Sequence, residues 1–324
     1  MNRLCLALTV AAAVALNSLA FAGIEEEVRQ APTSTDEEKN STELFEYEFV
    51  HTFKSNFKSD TRGAFGEGDS TYNLINYAHR FHTTGNWYLR LGVEYERFDF
   101  GGDNGSNREF PPGCLNCTVI GNNNGLPDHL QTIHALLAYE YIFKDHAGAG
   151  IEIDPGPYFQ NDITGDSIDV PWKVWVTFPL KKDKIFGVIG AGGSIYSNPI
   201  VAPGGGLIWL FSDNFRLEGV FPKPALVYNA GDDWEFRIGA NLFFESYRTD
   251  DVITHERKLR VRDAIVQYSE KRVGAMVTYS HFKPFEITLD GGCMLERDFE
   301  FFRADASAKT KPAPYVRLAI EAKF

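Results

Sequence analysis

The chain has 324 residues, with 44 acidic and 32 basic side chains and a formal net charge of −12. This balance argues against a nucleic-acid-binding protein, because no basic stripe is available to neutralise phosphates. An aromatic content of 14% is too high for a disordered chain. Beyond residue 22 there is no apolar run of about 18 residues, the length that a membrane-spanning helix needs.

The first 22 residues have the three parts of a secretory signal peptide. Arg3 supplies the positive charge, residues 4–16 form the apolar stretch, and Ala20-Phe21-Ala22 supplies the small residues of a cleavage site. The sequence therefore predicts a cleaved signal peptide at 1–22 and export from the cytoplasm. Residues 23–42 are rich in acidic, Ser and Thr residues. This composition buries too little apolar surface to offset the entropy of ordering, so we predict a disordered leader there.

From residue 43 to the C-terminus the dominant hydrophobic period is two, which is typical of strands with two unlike faces. The clearest apolar rows are Trp87, Leu89, Leu91, Val93 and Tyr95, and then Trp234, Phe236, Ile238, Ala240 and Leu242. The segments approach the length of about 9–11 residues that a tilted strand needs to cross a bilayer. Aromatic residues near their ends are typical of the girdles at membrane interfaces. A soluble β-sandwich also alternates and stays a lesser alternative.

Short turns are predicted near 83–86, 144–146, 181–184 and 212–214, and longer loops at 55–71, 99–128, 160–169 and 297–312. Tight turns on one side and long loops on the other are typical of an outer-membrane barrel. We therefore predict an all-β fold over 43–324, a transmembrane antiparallel up-and-down β-barrel of about 12–14 strands. The lower number applies if Pro222 and Pro224 lie within one irregular strand. One feature disagrees, since 249–259 is long where strict alternation predicts a short turn.

The last ten residues alternate strictly, with Val316, Leu318, Ile320, Ala322 and Phe324 on one face. A final alternating strand that ends in an aromatic residue resembles the terminal strand of bacterial outer-membrane β-barrel proteins. That resemblance implies that the barrel assembly machinery reads Phe324 as an assembly signal and inserts the chain into the cell outer membrane.

The segment 221–228, with Asp233-Trp234 soon after, also resembles a family of outer-membrane barrels of unknown function. This second resemblance implies the fold and nothing about chemistry.

Two patterns in the sequence are candidates for hydrolytic sites. Gly68-Asp69-Ser70 and the triplet at 165–167 resemble the start of GDSL-type esterases, but both fall in predicted loops, where these residue types are expected in turns. Ser280-His281 comes nearest to a lipid hydrolase embedded in a barrel wall. Adjacent residues on a strand point to opposite faces, so these two cannot pair directly. The sequence therefore predicts a protein that is not an enzyme and has no cofactor or metal, with an outer-membrane lipid hydrolase as the lesser alternative.

Cys114 and Cys117 form a Cys-x-x-Cys in the predicted loop 99–128. A second pair for zinc is missing, and so is the βαβ context of a redox motif. In an oxidising compartment a local disulfide is the better interpretation.

If the apolar rows face lipid, the charged residues of the opposite rows face the lumen. These are Arg80, Arg90, Glu94, Glu96, Glu140, Glu152, Asp154, Arg237, Glu245, Arg272, Glu286, Arg317 and Glu321. A barrel of this size is wider than the eight-stranded type that side chains can fill, so we expect a hydrated interior unless the long loops fold inward. The sequence predicts a passive, porin-like channel for small solutes in outer-membrane lipid. The alternative is a structural or surface-binding barrel, closed inside. The oligomeric state stays open.

Overall fold

A computed structural model describes residues 42–59, 63–101, 126–143, 147–182, 184–250, 252–254, 259–261, 263–301 and 306–324. The predicted signal peptide, the leader up to residue 41, and Cys114 and Cys117 lie outside these residues, so those assignments stay predictions. The described residues contain no helix that is long and apolar enough to cross a membrane.

Fourteen strands in the described residues form the wall of the molecule. The first seven are β1 (Thr42–Ser59), β2 (Gly63–Thr84), β3 (Trp87–Phe100), β4 (His129–Ile142), β5 (Gly148–Ile153), β6 (Trp172–Lys181) and β7 (Ile185–Gly193). The other seven are β8 (Ala202–Leu210), β9 (Phe215–Val220), β10 (Ala225–Ala230), β11 (Trp234–Thr249), β12 (Ala264–Tyr279), β13 (Phe285–Phe301) and β14 (Ala313–Lys323). Five shorter strand segments lie between them, at Gly156–Phe159, Ile168–Asp169, Val252–Thr254, Leu259–Val261 and Ala306–Thr310.

The strands close into a barrel. Each strand pairs antiparallel with the next in the chain, and β14 returns to β1, where Leu44 lies opposite Lys323 and Thr52 opposite Tyr315. Closure leaves no open edge in the wall that these fourteen described strands form. The predicted antiparallel up-and-down barrel is confirmed, at the upper end of the expected strand number.

The two prolines near residue 223 lie in a turn, so the twelve-strand interpretation is wrong. β9 ends at Val220 and β10 begins at Ala225. Proline has no N–H to give to a ladder, and a pair of prolines two residues apart favours a break between strands. This extra turn also changes the end of the barrel at which each later connection lies. The connection between Thr249 and Ala264 now falls on the side with the long loops, which removes the irregularity seen in the sequence.

At the long-loop end the strands run further than predicted. β1 and β2 occupy most of 55–71, and β13 together with Ala306–Thr310 occupies most of 297–312. The polar residues there that suggested loops pair across strands. Lys54 lies 3.6 Å from Glu67, and Lys309 lies 3.1 Å from Asp298. The predicted turns at 83–86, 181–184 and 212–214 do join neighbouring strands.

The wall is uneven in height, because β1–β4 and β11–β13 have 14–22 residues whereas β5, β9 and β10 have six each. Past the end of β5, the segment Gly156–Phe159 crosses to the tall strands. Phe159 lies in register with Gln131 of β4 and with Arg248 of β11. Together with Ala306–Thr310, this segment closes the tall strands into a second, narrower ring of nine segments at the long-loop end.

The narrow ring is filled by aromatic side chains. Phe98, Phe100, Tyr268 and Phe299 are all buried and point inward, with neighbouring ring centroids 4.9–5.3 Å apart. A nine-membered ring is close to the eight-stranded width that side chains can fill. These four residues, which we term the aromatic plug, therefore close the barrel on its tall side.

Candidate functional site

The wall side chains separate into an outward apolar set and an inward set. On β11, Trp234, Phe236 and Ile238 are 44%, 44% and 63% exposed, whereas Arg237 between them is 6% exposed. Residues paired across neighbouring strands share a face, so the strand register gives the inward and outward rows of the other strands in the barrel. The structure places the following predicted lumen residues on inward-facing rows: Arg80, Arg90, Glu94, Glu96, Glu140, Glu152, Arg237, Glu245, Arg272, Glu286, Arg317 and Glu321. Asp154 follows directly after β5.

Aromatic rings edge the apolar exterior at the tight-turn end. Trp87 stacks on Tyr139 with centroids 4.7 Å apart, and Trp234 lies 4.4 Å from Tyr279. Aromatic residues of this kind accommodate the boundary between lipid and water. One member of the expected outward row departs from it. Leu242 is only 6% exposed and lines a cavity, and its backbone N–H bonds Pro222 O at 3.1 Å in the neighbouring turn.

One group of inward charges forms a network across β2–β6. Arg90 lies 3.1 Å from Glu140 and 2.6 Å from Glu152. Arg80 extends it to Glu140 at 3.0 Å, and Lys173 to Glu152 at 2.5 Å. Glu140 and Glu152 are buried, so their charges are matched by neighbours rather than by water. Lys173 was missed in the sequence, although it stands between the apolar residues Trp172 and Val174.

A second network lies on β9–β11. Arg216 lies 2.6 Å from both Glu218 and Glu235, and Arg237 lies 3.4 Å from Glu235 and also bonds Glu218. Arg237 was predicted to face the lumen, and Glu235 belongs to the same polar row of its strand. Arg216 and Glu218 lie in the short strand β9, whose bounds the sequence leaves ambiguous.

A third network joins the two ends of the chain. Arg317 donates to Glu48 at 2.7 Å, and Arg272 lies 3.9 Å from Glu48 and bonds Glu270. Glu48 and Glu270 were not among the predicted lumen residues. The even-numbered alternation of Glu46 and Glu48 against Phe45, Tyr47 and Phe49 was the signal that could have found Glu48.

Between the first two networks, part of the interior of β6–β9 is apolar, unlike the predicted charged rows. Trp175, Phe186, Val188, Ile208 and Val220 form an inward cluster. In the sequence, Trp175 is an apolar residue on the face of its strand that is otherwise polar. The structure accommodates it because its cross-strand partner is Gly150, where an added Cβ would meet the Trp175 ring at 2.2 Å.

A cavity of about 270 Å³ lies between these networks and the aromatic plug. Its walls include Asn76, Glu94, Glu96 and His134 of β2–β4, and Glu245 of β11. The pairing of β11 with β10 ends at Gly239, and the next strand partner of β11 on that edge is Phe159, opposite Arg248. Between these two points β11 has no strand partner on that edge within the described residues, so side chains from both of its faces line the cavity at 241–246. The cavity thus passes beside the plug toward the loop residues Ser194, Ser197 and Pro199.

Asp169 holds the loops at this mouth together. Its Oδ1 accepts the N–H of Val170 at 2.8 Å and that of Ile195 at 3.1 Å. These bonds tie the connection before β6 to the connection after β7. Burial raises the pKa of the Asp169 carboxyl, although these hydrogen bonds lower it in part.

The candidate hydrolytic residues do not assemble a nucleophile and base. Ser280 Oγ donates to Asp233 O at 3.4 Å, whereas His281 Nδ1 lies 3.1 Å from the Asp233 carboxylate. Gly68-Asp69-Ser70 lies within β2 rather than in a loop, and 165–167 forms a single 3₁₀ turn. Across the described parts of the chain, no group of three or more His, Cys, Asp or Glu side chains is arranged to hold a metal ion.

No protein-family model matches the chain, and no curated protein sequence does. Distant similarity to solved structures was found. An outer-membrane channel from Pseudomonas putida F1 is 11% identical, with a TM-score of 0.47 over 88% of this chain and 95% of that one. The P. putida toluene transporter TodX is 12% identical, with a TM-score of 0.41 over 95% and 96%. LpxR from Salmonella typhimurium is 11% identical, with a TM-score of 0.39 over 87% and 99%.

Proposed function

We propose that the protein is an outer-membrane channel through which small polar solutes diffuse without covalent chemistry. The observation that carries this proposal is the closed barrel with an apolar exterior and a charged internal cavity. The exterior is an apolar surface, which is unfavourable in water. It includes Ile238, Leu289 and Ile189, which are 63%, 56% and 59% exposed. A closed sheet satisfies its backbone hydrogen bonds internally, which lipid requires.

The charge of the cavity supports selectivity for cations. Eight carboxylate side chains line it, against four Lys or Arg side chains and His134. A surplus of one sign in a low-dielectric passage raises the local concentration of the opposite ion. The route we propose enters between the loops at 194–199 and passes beside the aromatic plug.

A closed structural barrel is the second candidate. The aromatic plug, the apolar cluster around Trp175 and the ion-pair networks occupy much of the interior, and such filling favours a barrel that works through its loops. The two candidates differ in one measurable property, the conductance of the folded protein in a planar bilayer.

The channel proposal predicts discrete, cation-selective conductance steps that a cysteine reagent can alter. Asn241 and Ala240 are neighbours on β11 with side chains on opposite faces, and Asn241 lines the cavity. In a background with Cys114, Cys117 and Cys293 replaced by Ala, a charged methanethiosulfonate should lower the conductance of Asn241→Cys at least twofold. The same reagent should leave Ala240→Cys unchanged.

Two outcomes would contradict the channel. Folded protein that gives no steps above the bare bilayer would favour the closed barrel. Equal responses at positions 240 and 241 would show that the reagent does not act from the lumen.

The C-terminal residue provides a separate test of outer-membrane insertion. Phe324 is 64% exposed, and its backbone N–H bonds Glu43 O at 2.9 Å at the seam where the barrel closes. We expect deletion of Phe324 to lower the outer-membrane yield several-fold, because a terminal aromatic residue completes the alternating strand. Deletion of Glu26 in the leader is the control and should leave the yield unchanged. Cell fractionation, with migration of heated and unheated samples in detergent gels, measures both. Equal yields would refute the assembly signal.

A further inference from the structure

Four carboxylates that line the cavity stand apart from the ion-pair networks. They are Glu94, Glu96, Asp154 and Glu245, which we term the acidic cluster. Glu94 lies 3.3 Å from His134 Nε2, and Glu245 accepts the hydroxyl of Tyr247. Within the described residues the structure places no Lys or Arg at ion-pair distance from any of the four. A single imidazole cannot balance four ionised carboxylates, so a cluster of this kind either takes up protons or receives a cation.

Two other carboxylates at the cavity, Glu152 and Glu48, are matched by cations. Glu152 lies between Arg90 and Lys173, at 2.6 Å and 2.5 Å. Glu48 accepts from Arg317 at 2.7 Å. Uncompensated charge at a buried site costs free energy unless a partner arrives or a proton neutralises it.

Buried acceptor atoms with no hydrogen-bond partner face the same cavity. They include three oxygens, Glu96 Oε2 and Asn76 Oδ1, on side chains only 4% and 7% exposed, and Asp154 Oδ1. Buried polar atoms in proteins are almost always bonded, so a group of orphaned acceptors calls for a donor that the protein chain does not provide. Each of the three is an oxygen that accepts.

Aromatic faces complete the walls. Tyr72, Tyr158 and Phe243 line the cavity, and the Tyr158 ring stacks on His134 with centroids 5.7 Å apart. Aromatic faces attract cations through their quadrupole. Carboxylates, orphaned acceptors and aromatic faces therefore favour the same class of occupant.

We propose that the acidic cluster binds a small organic cation with several N–H donors, of the primary diamine class. This inference rests on the proposed channel function and names the class of solute that the channel concentrates. The two ammonium groups of a diamine would match more than one carboxylate, and its N–H donors would satisfy Glu96 Oε2 and Asn76 Oδ1. Its methylene chain would lie against the aromatic faces. A bare metal ion fits less well, because the carboxylates do not form a ligand cage.

The test is binding of 1,4-diaminobutane to the full, detergent-folded protein by titration calorimetry at pH 7. We expect saturable binding at least tenfold tighter than that of 1-butanol or of Mg²⁺. Glu96→Gln keeps the shape of the side chain and should weaken binding at least tenfold. The matched control is Glu286→Gln, since Glu286 points inward on β13 but does not line the cavity. It should bind as the unaltered protein does.

The outcomes separate this inference from the channel proposal. Conductance without diamine binding would overturn the diamine site and leave the channel standing. Diamine binding without conductance would support the site inside a closed barrel. Mg²⁺ that binds as tightly as the diamine, or binding unchanged in Glu96→Gln, would refute the assignment. The comparison of diamine with alcohol needs no variant, so it decides even if Glu96→Gln does not fold.

Discussion

Ile238→Arg is expected to impair folding strongly. Ile238 is 63% exposed on the outward row near the centre of the apolar band, and its neighbours in that row are Phe236 and Ala240. An Arg on the lipid face of a barrel costs about 2–4 kcal/mol at the midplane of the bilayer. Folding into lipid vesicles, followed by the shift between heated and unheated samples in gels, measures this loss.

The matched control is Asn241→Arg, three residues along the same strand and on the inward face. We expect this variant to fold and to change only ion selectivity, toward anions. A labelled cysteine at 238 should also be quenched by lipid-borne quenchers and not by water-soluble ones. If water-soluble quenchers reach position 238 freely, or if Asn241→Arg is the variant that fails to fold, the assignment of faces is wrong.

Arg272→Met is expected to cost about 3–5 kcal/mol of unfolding free energy, the range for breaking a buried ion pair by removal of one partner. Arg272 bonds Glu270, which is 2% exposed, and the Tyr268 hydroxyl is the other side-chain donor to that carboxylate within the described residues. Urea unfolding in vesicles, followed by tryptophan fluorescence, gives the free energy.

Two further variants make this prediction specific. Arg272→Met combined with Glu270→Gln removes both charges and should recover most of the loss. Lys271→Met removes the partly exposed pair with Glu296 at 2.9 Å, and such pairs contribute about 0–1 kcal/mol. A single Arg272→Met variant as stable as Lys271→Met would show that the Glu270 charge is not buried in lipid-embedded protein.

The faces of the strands could be predicted from the sequence because alternation is a local property. A strand turns successive side chains to opposite sides whatever its neighbours are, so Ile238 and Arg237 separate without knowledge of the ring. The length of the alternating segments predicted a barrel for the same reason. The prolines at 222 and 224 left the strand number open, since the choice between a bulge and a turn depends on where β9 and β10 pair.

The partners of the inward charges were decided by the tertiary structure alone. Glu48 and Arg317 meet at 2.7 Å although 269 residues separate them, because the ends of the barrel close. The crossing of Gly156–Phe159 to β4 and β11 likewise left no mark in the local pattern. That crossing narrows the ring, and it sets the aromatic plug and the acidic cavity side by side. The sequence by itself separated the two faces of most strands, because alternation is local, and only the register of distant strands decided which inward charges form ion pairs.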